Sequence, residues 1–248
     1  MNGFEKHGIG HLSASSINLW INAPDMWVAK YLHGHKSNFG PAPRRGQCVE
    51  TAVHMALTGT ETETAIKRGL ESFDSTFMFG TEDTTKERAV IEPMARVALA
   101  ELEPLGHPAE GGDEQAKISI EAKFDGWSIP VIGFLDFTYP DQGLIVDLKT
   151  TNRVPSVMSP DHQLQRAIYS AAMGNASVKF LYVSAKRAAW LEDGDPAEVL
   201  ARAKVQIARL ERFLSLHSAD DALACVPHNP SSFYWRGDED ARREMFGT

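Results

Sequence analysis

The feature that most constrains the fold is a pair of apolar segments joined by a turn-forming sequence. "SIPVIGFLDFTY" (128–139) and "GLIVDLKTT" (143–151) are rich in β-branched and aromatic residues, and "PDQG" stands where they meet. This pattern predicts two strands folded back at a turn. Symmetric pairing about the centre between Asp141 and Gln142 would set Asp136 opposite Asp147, on one face of an antiparallel pair.

Lys149 follows Asp147 by two residues, so both side chains leave the same face of a strand. Two neighbouring carboxylates repel each other unless one is protonated or a cation lies between them. Lys149 supplies one cation, and a divalent metal such as Mg²⁺, which prefers oxygen ligands, would supply a stronger one. The alternative is a surface acid pair with a salt-bridging lysine. The apolar surroundings favour a specific partner, because charges embedded in apolar strands usually need one.

Before the hairpin the chain is predicted to be mostly helical. "LSASSINLWINAPDMWVAKYL" predicts two short helices, the first capped by a serine and the second starting at Pro24. "PAPRRG" is expected to be a loop, and "GQCVETAVHMALTG" a helix that stops at Gly59. Residues 60–106 are expected to be helical with a break near "FGTEDTT" and a restart at Pro93.

The later segments predict a mixed sheet. "EQAKISIEAKF" precedes the hairpin as a further strand, and "SVKFLYVSA" follows the well-capped helix "SPDHQLQRAIYSAAMG". Consecutive strands favour antiparallel pairing, whereas a strand–helix–strand unit favours a parallel crossover. A long amphipathic helix, "DPAEVLARAKVQIARLERFLSLH", and a tail whose aromatic cluster is expected to dock on the body complete the chain.

Composition limits the class of protein and the cellular compartment. Hydrophobic residues make up 43% and charged residues 23% of the 248 residues, as in globular proteins, and no apolar run approaches the length of a membrane span. The low cysteine count and an N-terminus without secretory character favour the cytoplasm. Two cysteines are also too few for a four-cysteine zinc or iron–sulfur site. A net charge of −8 argues against a protein that coats nucleic acid, but not against an enzyme that acts on it.

Several segments resemble a known family. Asp136 followed by Asp147-Leu148-Lys149 is similar to the acid and (D/E)-x-K signature of the PD-(D/E)XK nuclease superfamily, and "IGFLDF" to its G-x-x-D strand. "GQCVETAVHMAL" resembles the first helical motif of the RecB-like, phage-type exonuclease branch, and "QLQRAIYSAA" its Q-x-x-x-Y helix. The opening "LSASSINLWINAPDMW" resembles the start of RecB-type and CRISPR-adaptation nucleases, with Ala23 where cluster-bearing relatives have cysteine. Leu135 stands where the proline of the superfamily name would be.

The resemblance implies roles for individual residues. Asp136, Asp147 and the Leu148 carbonyl would hold the metal, together with His54, which could instead contact phosphate. Glu50 is a further candidate ligand, with a solvated helix acid as the alternative, and Glu121 is a candidate for binding the metal or for supporting one of its ligands. Lys149 would hold the attacking water, and Gln165 and Tyr169, which share a helix face, would orient the lysine and contact the nucleic-acid backbone. Candidate phosphate contacts, each of which could simply be solvated, are Arg44, Arg45, Arg166, Lys186 and Arg187.

The expected fold is therefore α/β, with a restriction-endonuclease-like mixed sheet (αβββαβ) flanked by helices. One domain is expected, with a helical N-terminal part (1–110), a catalytic core (111–192) and a C-terminal helix and tail (193–248). The resemblance implies a Mg²⁺-dependent DNA exonuclease of recombination or repair, in which Mn²⁺ substitutes and no iron–sulfur cluster is present. It would act in the cytoplasm of a bacterial or phage-infected cell, as a homo-oligomer beside a strand-annealing or other recombination protein.

Two alternatives remain open at the level of sequence. One is an end-trimming nuclease of the CRISPR-adaptation type without an iron–sulfur cluster, against which the missing cysteines count. The other is a catalytically silent nuclease-like fold that binds nucleic acid or protein, against which Asp136, Asp147 and Lys149 count.

Overall fold

The chain folds into a mixed α/β structure. The computed structural model describes residues 1–36, 40–78, 80–109 and 118–247. The helices are α1 Gly3–Lys6, α2 Ala14–Asn22, α3 Pro24–Leu32, α4 Pro41–Leu57, α5 Thr62–Thr76, α6 Glu82–Ala89, α7 Ile91–Leu102, α8 Pro160–Ala172, α9 Pro196–Leu216, α10 Ala219–Cys225 and α11 Glu239–Phe246. The strands are β1 Ile118–Ala122, β2 Val131–Leu135, β3 Phe137–Tyr139, β4 Leu144–Thr150, β5 Ser177–Val183 and β6 Ala188–Leu191.

A four-stranded mixed sheet lies at the centre, in the order β3-β4-β5-β6, and β1 and β2 form a separate antiparallel pair. β3 and β4 are antiparallel, and α8 carries the chain over to β5, which is parallel to β4. The predicted hairpin register is confirmed, since Phe137 pairs with Val146 and Tyr139 with Leu144. Extending this register by one residue would set Asp136 beside Asp147, although Asp136 itself lies at a bend just before β3.

Two features of the predicted strands were wrong. The single strand expected over 128–139 is divided at Asp136, where the backbone bends between β2 and β3. β6 was missed; it pairs antiparallel with β5 at the edge of the sheet, after a short turn that left little sequence signal. Residues 114–117 of the first predicted strand lie outside the described residues.

The sheet separates two hydrophobic cores, because successive residues of a strand point to opposite faces. Val146 and Leu148 of β4 pack in the core that also contains apolar residues of α4, α5 and α7. Ile145 faces the opposite core, together with Phe180 and Tyr182 of β5 and apolar residues of α2, α3, α8 and α9. Asp147 and Lys149 follow Ile145 by two and four residues, so their side chains point to the same face of the sheet, which α8 covers.

The start of α4 differs from the prediction. "PAPRRG" was expected to be a loop but forms the first turns of this helix, because proline is well tolerated in the first turn, where its missing N–H has no helical partner. A Cβ at Gly46 would lie 3.2 Å from the Thr150 Oγ1, so the glycine lets α4 approach the end of β4 closely.

Three helix starts follow their predicted signals, whereas α1, α10 and α11 were not predicted. Ser13 caps α2, Pro24 begins α3, and Ser159 and Pro160 start α8 as expected. The aromatic cluster of the tail docks on the body, since Trp235 is 1% exposed within the larger core. Among the residues that the structure describes, no helix combines the length and apolar character required to cross a membrane.

Candidate active site

A cleft of about 740 Å³ opens where β2 and β4 meet α2, α3 and α8. Six of the sequence-predicted site residues line it: Glu50, Asp136, Leu148, Lys149, Gln165 and Tyr169. Asp147 lies directly behind this wall with its side chain 1% exposed. The structure therefore brings the acids, the lysine and the glutamine–tyrosine pair to one place, although they come from strands and a helix separated along the chain.

The two carboxylates are held in different ways. Asp147 contacts the Lys149 Nζ through Oδ1 and accepts a hydrogen bond at Oδ2 from the Gln165 Nε2, at 2.8 Å. Asp136 accepts the backbone N–H of Leu148 at Oδ2, at 3.0 Å. The bend at Asp136 lets this acid reach across the hairpin to the neighbouring strand, so that both carboxylates lie at one point of β4.

α8 supplies the opposite wall. Gln165 Nε2 also donates to the hydroxyl of Tyr169, at 3.0 Å, and that hydroxyl donates to the Phe134 carbonyl, at 3.0 Å. Gly133 makes room for the ring, because a Cβ there would lie 2.6 Å from the Tyr169 Cε1. A chain of hydrogen bonds thus fixes Gln165 between Asp147 and the backbone of β2.

The charges of the site determine the state of Lys149. Burial alone would lower the pKa of this lysine, but the nearby charges of Asp147 and Asp136 outweigh burial and raise the pKa above its ordinary value. Burial also raises the pKa of the Tyr169 hydroxyl, and the charge of Asp147 adds to the effect. At neutral pH the lysine is therefore an ammonium group and the tyrosine a neutral hydroxyl.

The donor set suits a hard cation. Asp136, Asp147, the Leu148 carbonyl and Glu50 offer oxygen atoms, which Mg²⁺ prefers. Within the described residues, however, no group of three or more His, Cys, Asp or Glu side chains has a geometry that could hold a metal ion. The ammonium group of Lys149 lies against Asp147, where it compensates the buried charge. The chemistry of the oxygen donors fits Mg²⁺, and in this structure Lys149 is the cation that contacts Asp147.

His54 and Glu121 are not among the residues that line the cleft. The ring of His54 stacks beside Phe137, with 6.1 Å between ring centroids, and does not line the cleft. Glu50, one turn earlier on α4, does line it. Glu121 is exposed on β1, where it pairs with Ile132. Glu50 is thus the better placed of these three candidates.

The predicted arginine contacts are engaged elsewhere. Arg45 is 5% exposed and ion-paired with Glu87. Arg44 donates to the Ser72 carbonyl at 3.0 Å, and Arg166 Nε donates to the Val178 carbonyl at 2.9 Å. These guanidinium groups join secondary-structure elements and do not line the cleft. Lys186 and Arg187 are exposed in the turn between β5 and β6.

The structure adds cleft residues that sequence reasoning missed. His162 lines the cleft from α8, and its Nδ1 lies 2.5 Å from the Tyr182 hydroxyl. Its spacing of three and seven residues from Gln165 and Tyr169 places it on the same helix face, which could have indicated it. The remaining polar residues of the cleft had no such signal and are His11, Ser13, Ser15, Asn18, Lys30, Asp161 and Tyr234.

Comparisons with known proteins add little. No family model matches this chain, and no curated protein matches it. Among solved structures, the crystal structure of SSO0001 is similar at 15% sequence identity, with a TM-score of 0.32 and coverage of 67% of this chain and 85% of that chain. A similarity of this size carries no argument about fold or function.

Proposed function

We propose that the chain is a metal-dependent DNA nuclease with a restriction-endonuclease-like core, acting as an exonuclease in recombination or repair. The observation that carries the proposal is the convergence of Asp136, Lys149, Gln165 and Tyr169 on one cleft, with Asp147 hydrogen-bonded behind them. The sequence motifs alone identify these residues. Their meeting in one cleft supports the nuclease interpretation over a solvated acid pair.

The carboxylates would hold the cation. Asp136, Asp147 and the Leu148 carbonyl are the proposed ligands, and Glu50 is the further acid placed to help. Bound Mg²⁺ supplies polarisation of the scissile phosphate and a lower pKa for a coordinated water. Mn²⁺, which also accepts oxygen ligands, is expected to substitute.

Lys149 would act as a donor. Because the charges of Asp147 and Asp136 raise its pKa, the ammonium group keeps its proton at neutral pH in the metal-free protein. It can hold a water molecule by hydrogen bonding and offset negative charge that develops on the phosphate oxygens in the transition state. Gln165 and Tyr169 would hold the acids and the lysine in position, since their hydrogen bonds link Asp147 to β2.

The wider parts of the proposal concern partners. DNA is the proposed substrate, a strand-annealing or other recombination protein the proposed partner, and a homo-oligomer the proposed assembly. They extend the sequence resemblance, and each is open to a direct test by cross-linking, co-purification or analytical ultracentrifugation.

The deciding experiment incubates linear and circular DNA with the protein and either Mg²⁺ or EDTA. Wild type is compared with Asp147→Ala and Lys149→Ala, and matched controls are Asp141→Ala in the hairpin turn and Lys179→Ala on β5. Metal-dependent loss of linear DNA alone, abolished in the first two variants and retained in the controls, supports an exonuclease. No cleavage of DNA or RNA with Mg²⁺ or Mn²⁺ would favour the catalytically silent alternative.

A further inference from the structure

His162 is a cleft residue that the proposed metal and lysine chemistry does not use. It lies in the first turn of α8 and lines the cleft together with Lys149. Its ring packs over β5, with centroids 5.4 Å from Phe180 and 5.5 Å from Tyr182. Tyr182 is the register partner of Lys149 across β4 and β5, so the imidazole lies over the same part of the sheet as the lysine.

The hydrogen bond between His162 and Tyr182 determines which ring nitrogen carries the proton. Tyr182 is 3% exposed, and within the described residues its hydroxyl has one hydrogen-bond partner, the Nδ1 of His162 at 2.5 Å. If the imidazole donated, the buried phenol proton would have no acceptor among those residues, which is unfavourable. The tyrosine therefore donates, Nδ1 accepts, and the proton of the neutral ring lies on Nε2.

The surroundings keep this ring neutral. Burial lowers the pKa of His162 to about 4, and the positive charge of Lys149 acts in the same direction. Nε2 makes no hydrogen bond to the part of the chain that the structure describes. The ring thus carries an N–H donor that the protein does not use, on a side chain that lines the cleft.

We propose that His162 is a substrate-binding residue whose Nε2–H donates to a phosphate oxygen of the bound DNA strand, in a tautomer fixed by Tyr182. This inference rests on the proposed nuclease function and adds a recognition element to it. A nitrogen that carries a proton cannot ligate a metal ion, so His162 is assigned to the phosphate and not to the cation. A neutral donor also binds an anionic oxygen without placing a second positive charge beside Lys149.

The tautomer can be measured independently of any activity. Full-length protein carrying ¹⁵N-labelled histidine is examined by NMR at pH 7, with His162→Gln to assign the signal. We expect a protonated Nε2 and an unprotonated Nδ1, and loss of this preference in Tyr182→Phe. The matched control is Tyr139→Phe, since the buried Tyr139 hydroxyl makes no hydrogen bond within the described residues. An Nδ1–H tautomer or an imidazolium ion in the wild type overturns the inference.

The donor role is tested by two substitutions that differ in hydrogen bonding. His162→Gln keeps an N–H at a position close to Nε2, whereas His162→Leu removes it. We expect His162→Leu to raise KM for linear DNA, and Kd with Ca²⁺ in place of Mg²⁺, at least tenfold, and His162→Gln to stay within threefold of wild type. Thermal melting of both variants shows whether the fold is retained, and rescue by Gln excludes a purely structural role.

The outcomes separate the two proposals. Cleavage by wild type with unchanged KM and Kd in His162→Leu overturns the role of His162 and leaves the nuclease assignment standing. Absence of cleavage by wild type removes the nuclease assignment, and the His162 inference is then decided by binding of a single-stranded oligonucleotide. Equal Kd values for wild type and His162→Leu in that measurement overturn it.

Discussion

Two aspartates of this protein are buried to the same degree and held in contrasting ways. Asp25 in α3 and Asp147 in β4 are each 1% exposed. Asp25 accepts from His228 Nδ1 at 2.8 Å, Trp235 Nε1 at 3.0 Å and the backbone N–H of Asn229 at 3.1 Å. Asp147 is satisfied by Lys149 and Gln165, which both line the cleft.

The donors to each aspartate distinguish a structural acid from a functional one. The donors to Asp25 belong to the C-terminal segment and fasten it to the body, so their loss would detach part of the fold. The donors to Asp147 are long polar side chains that line the cleft, where a bound ligand could reach them. Burial alone does not distinguish the two sites; the identity and location of the donors do.

The largest expected effect concerns activity at the cleft. Asp147→Asn should lower the rate of Mg²⁺-dependent DNA cleavage roughly 10²–10³-fold, because the neutral amide is a poor ligand for a hard cation and leaves developing charge uncompensated. The rate is measured on end-labelled linear DNA under single-turnover conditions. A rate within threefold of wild type would show that Asp147 is not required for cleavage.

The next effect concerns stability at the other aspartate. Asp25→Ala should lower the free energy of unfolding by about 3–5 kcal/mol, because it leaves buried donors from the C-terminal segment without an acceptor. Urea denaturation followed by tryptophan fluorescence measures the change, with the exposed Asp141→Ala as the control, expected within about 0.5 kcal/mol of wild type. A loss below about 1 kcal/mol for Asp25→Ala would show that the segment is held by its apolar contacts instead.

The cleft region and the C-terminal segment should lose stability over different pH ranges. The folded-state pKa of His162 is about 4, below its unfolded value of about 6.5, so its contribution is complete above pH 6.5 and is lost as the pH falls towards 4. This loss amounts to roughly 2–3 kcal/mol. His162→Gln should lack it when unfolding is measured in EDTA between pH 7 and pH 4. An unchanged pH slope in this variant would assign the titration to other groups.

Asp25 should act at lower pH. Burial would raise its pKa, but hydrogen bonds from Trp235, Asn229, His228 and Met26 hold it below the ordinary value. Its contribution is therefore present above the unfolded pKa of about 3.9 and is lost as the pH falls through the lower folded value. Limited proteolysis should therefore show the C-terminal segment becoming sensitive only below about pH 4, after the loss at His162 has set in.

The smallest effect concerns the space beside Tyr169. Gly133→Ala should cost about 1–3 kcal/mol of stability and lower the cleavage rate, because the added Cβ would lie 2.6 Å from the tyrosine ring. Gly10→Ala is the matched control, since a Cβ there would meet nothing within 4 Å. Reduced stability with an unchanged rate would show that Tyr169 packs against the site without supporting it.

Sequence reasoning reached local features and missed distant ones. The hairpin register followed from the "PDQG" turn and strand alternation, and the α8 boundaries from Ser159, Pro160 and Gly174. The division of the strand at Asp136 was not predictable, because nothing in "GFLDF" signals a bend. Arg45 illustrates the other limit, since its ion pair with Glu87 lies 42 residues away. The side-chain donors to Asp25, His228 and Trp235, are separated from it by more than 200 residues and had no local signal.

This last separation has a consequence for how the protein is made. Tyr234, in the segment that Asp25 fastens, is part of the cleft wall. Asp25 and His228 are 203 residues apart, so at about 5–20 residues per second a ribosome takes roughly 10–40 s to supply the partner after the aspartate. In the last part of that interval, after Lys149 has been added, the nascent chain holds its acids and Lys149 without the complete cleft. Translation itself therefore delays assembly of the site until the C-terminal segment has left the ribosome.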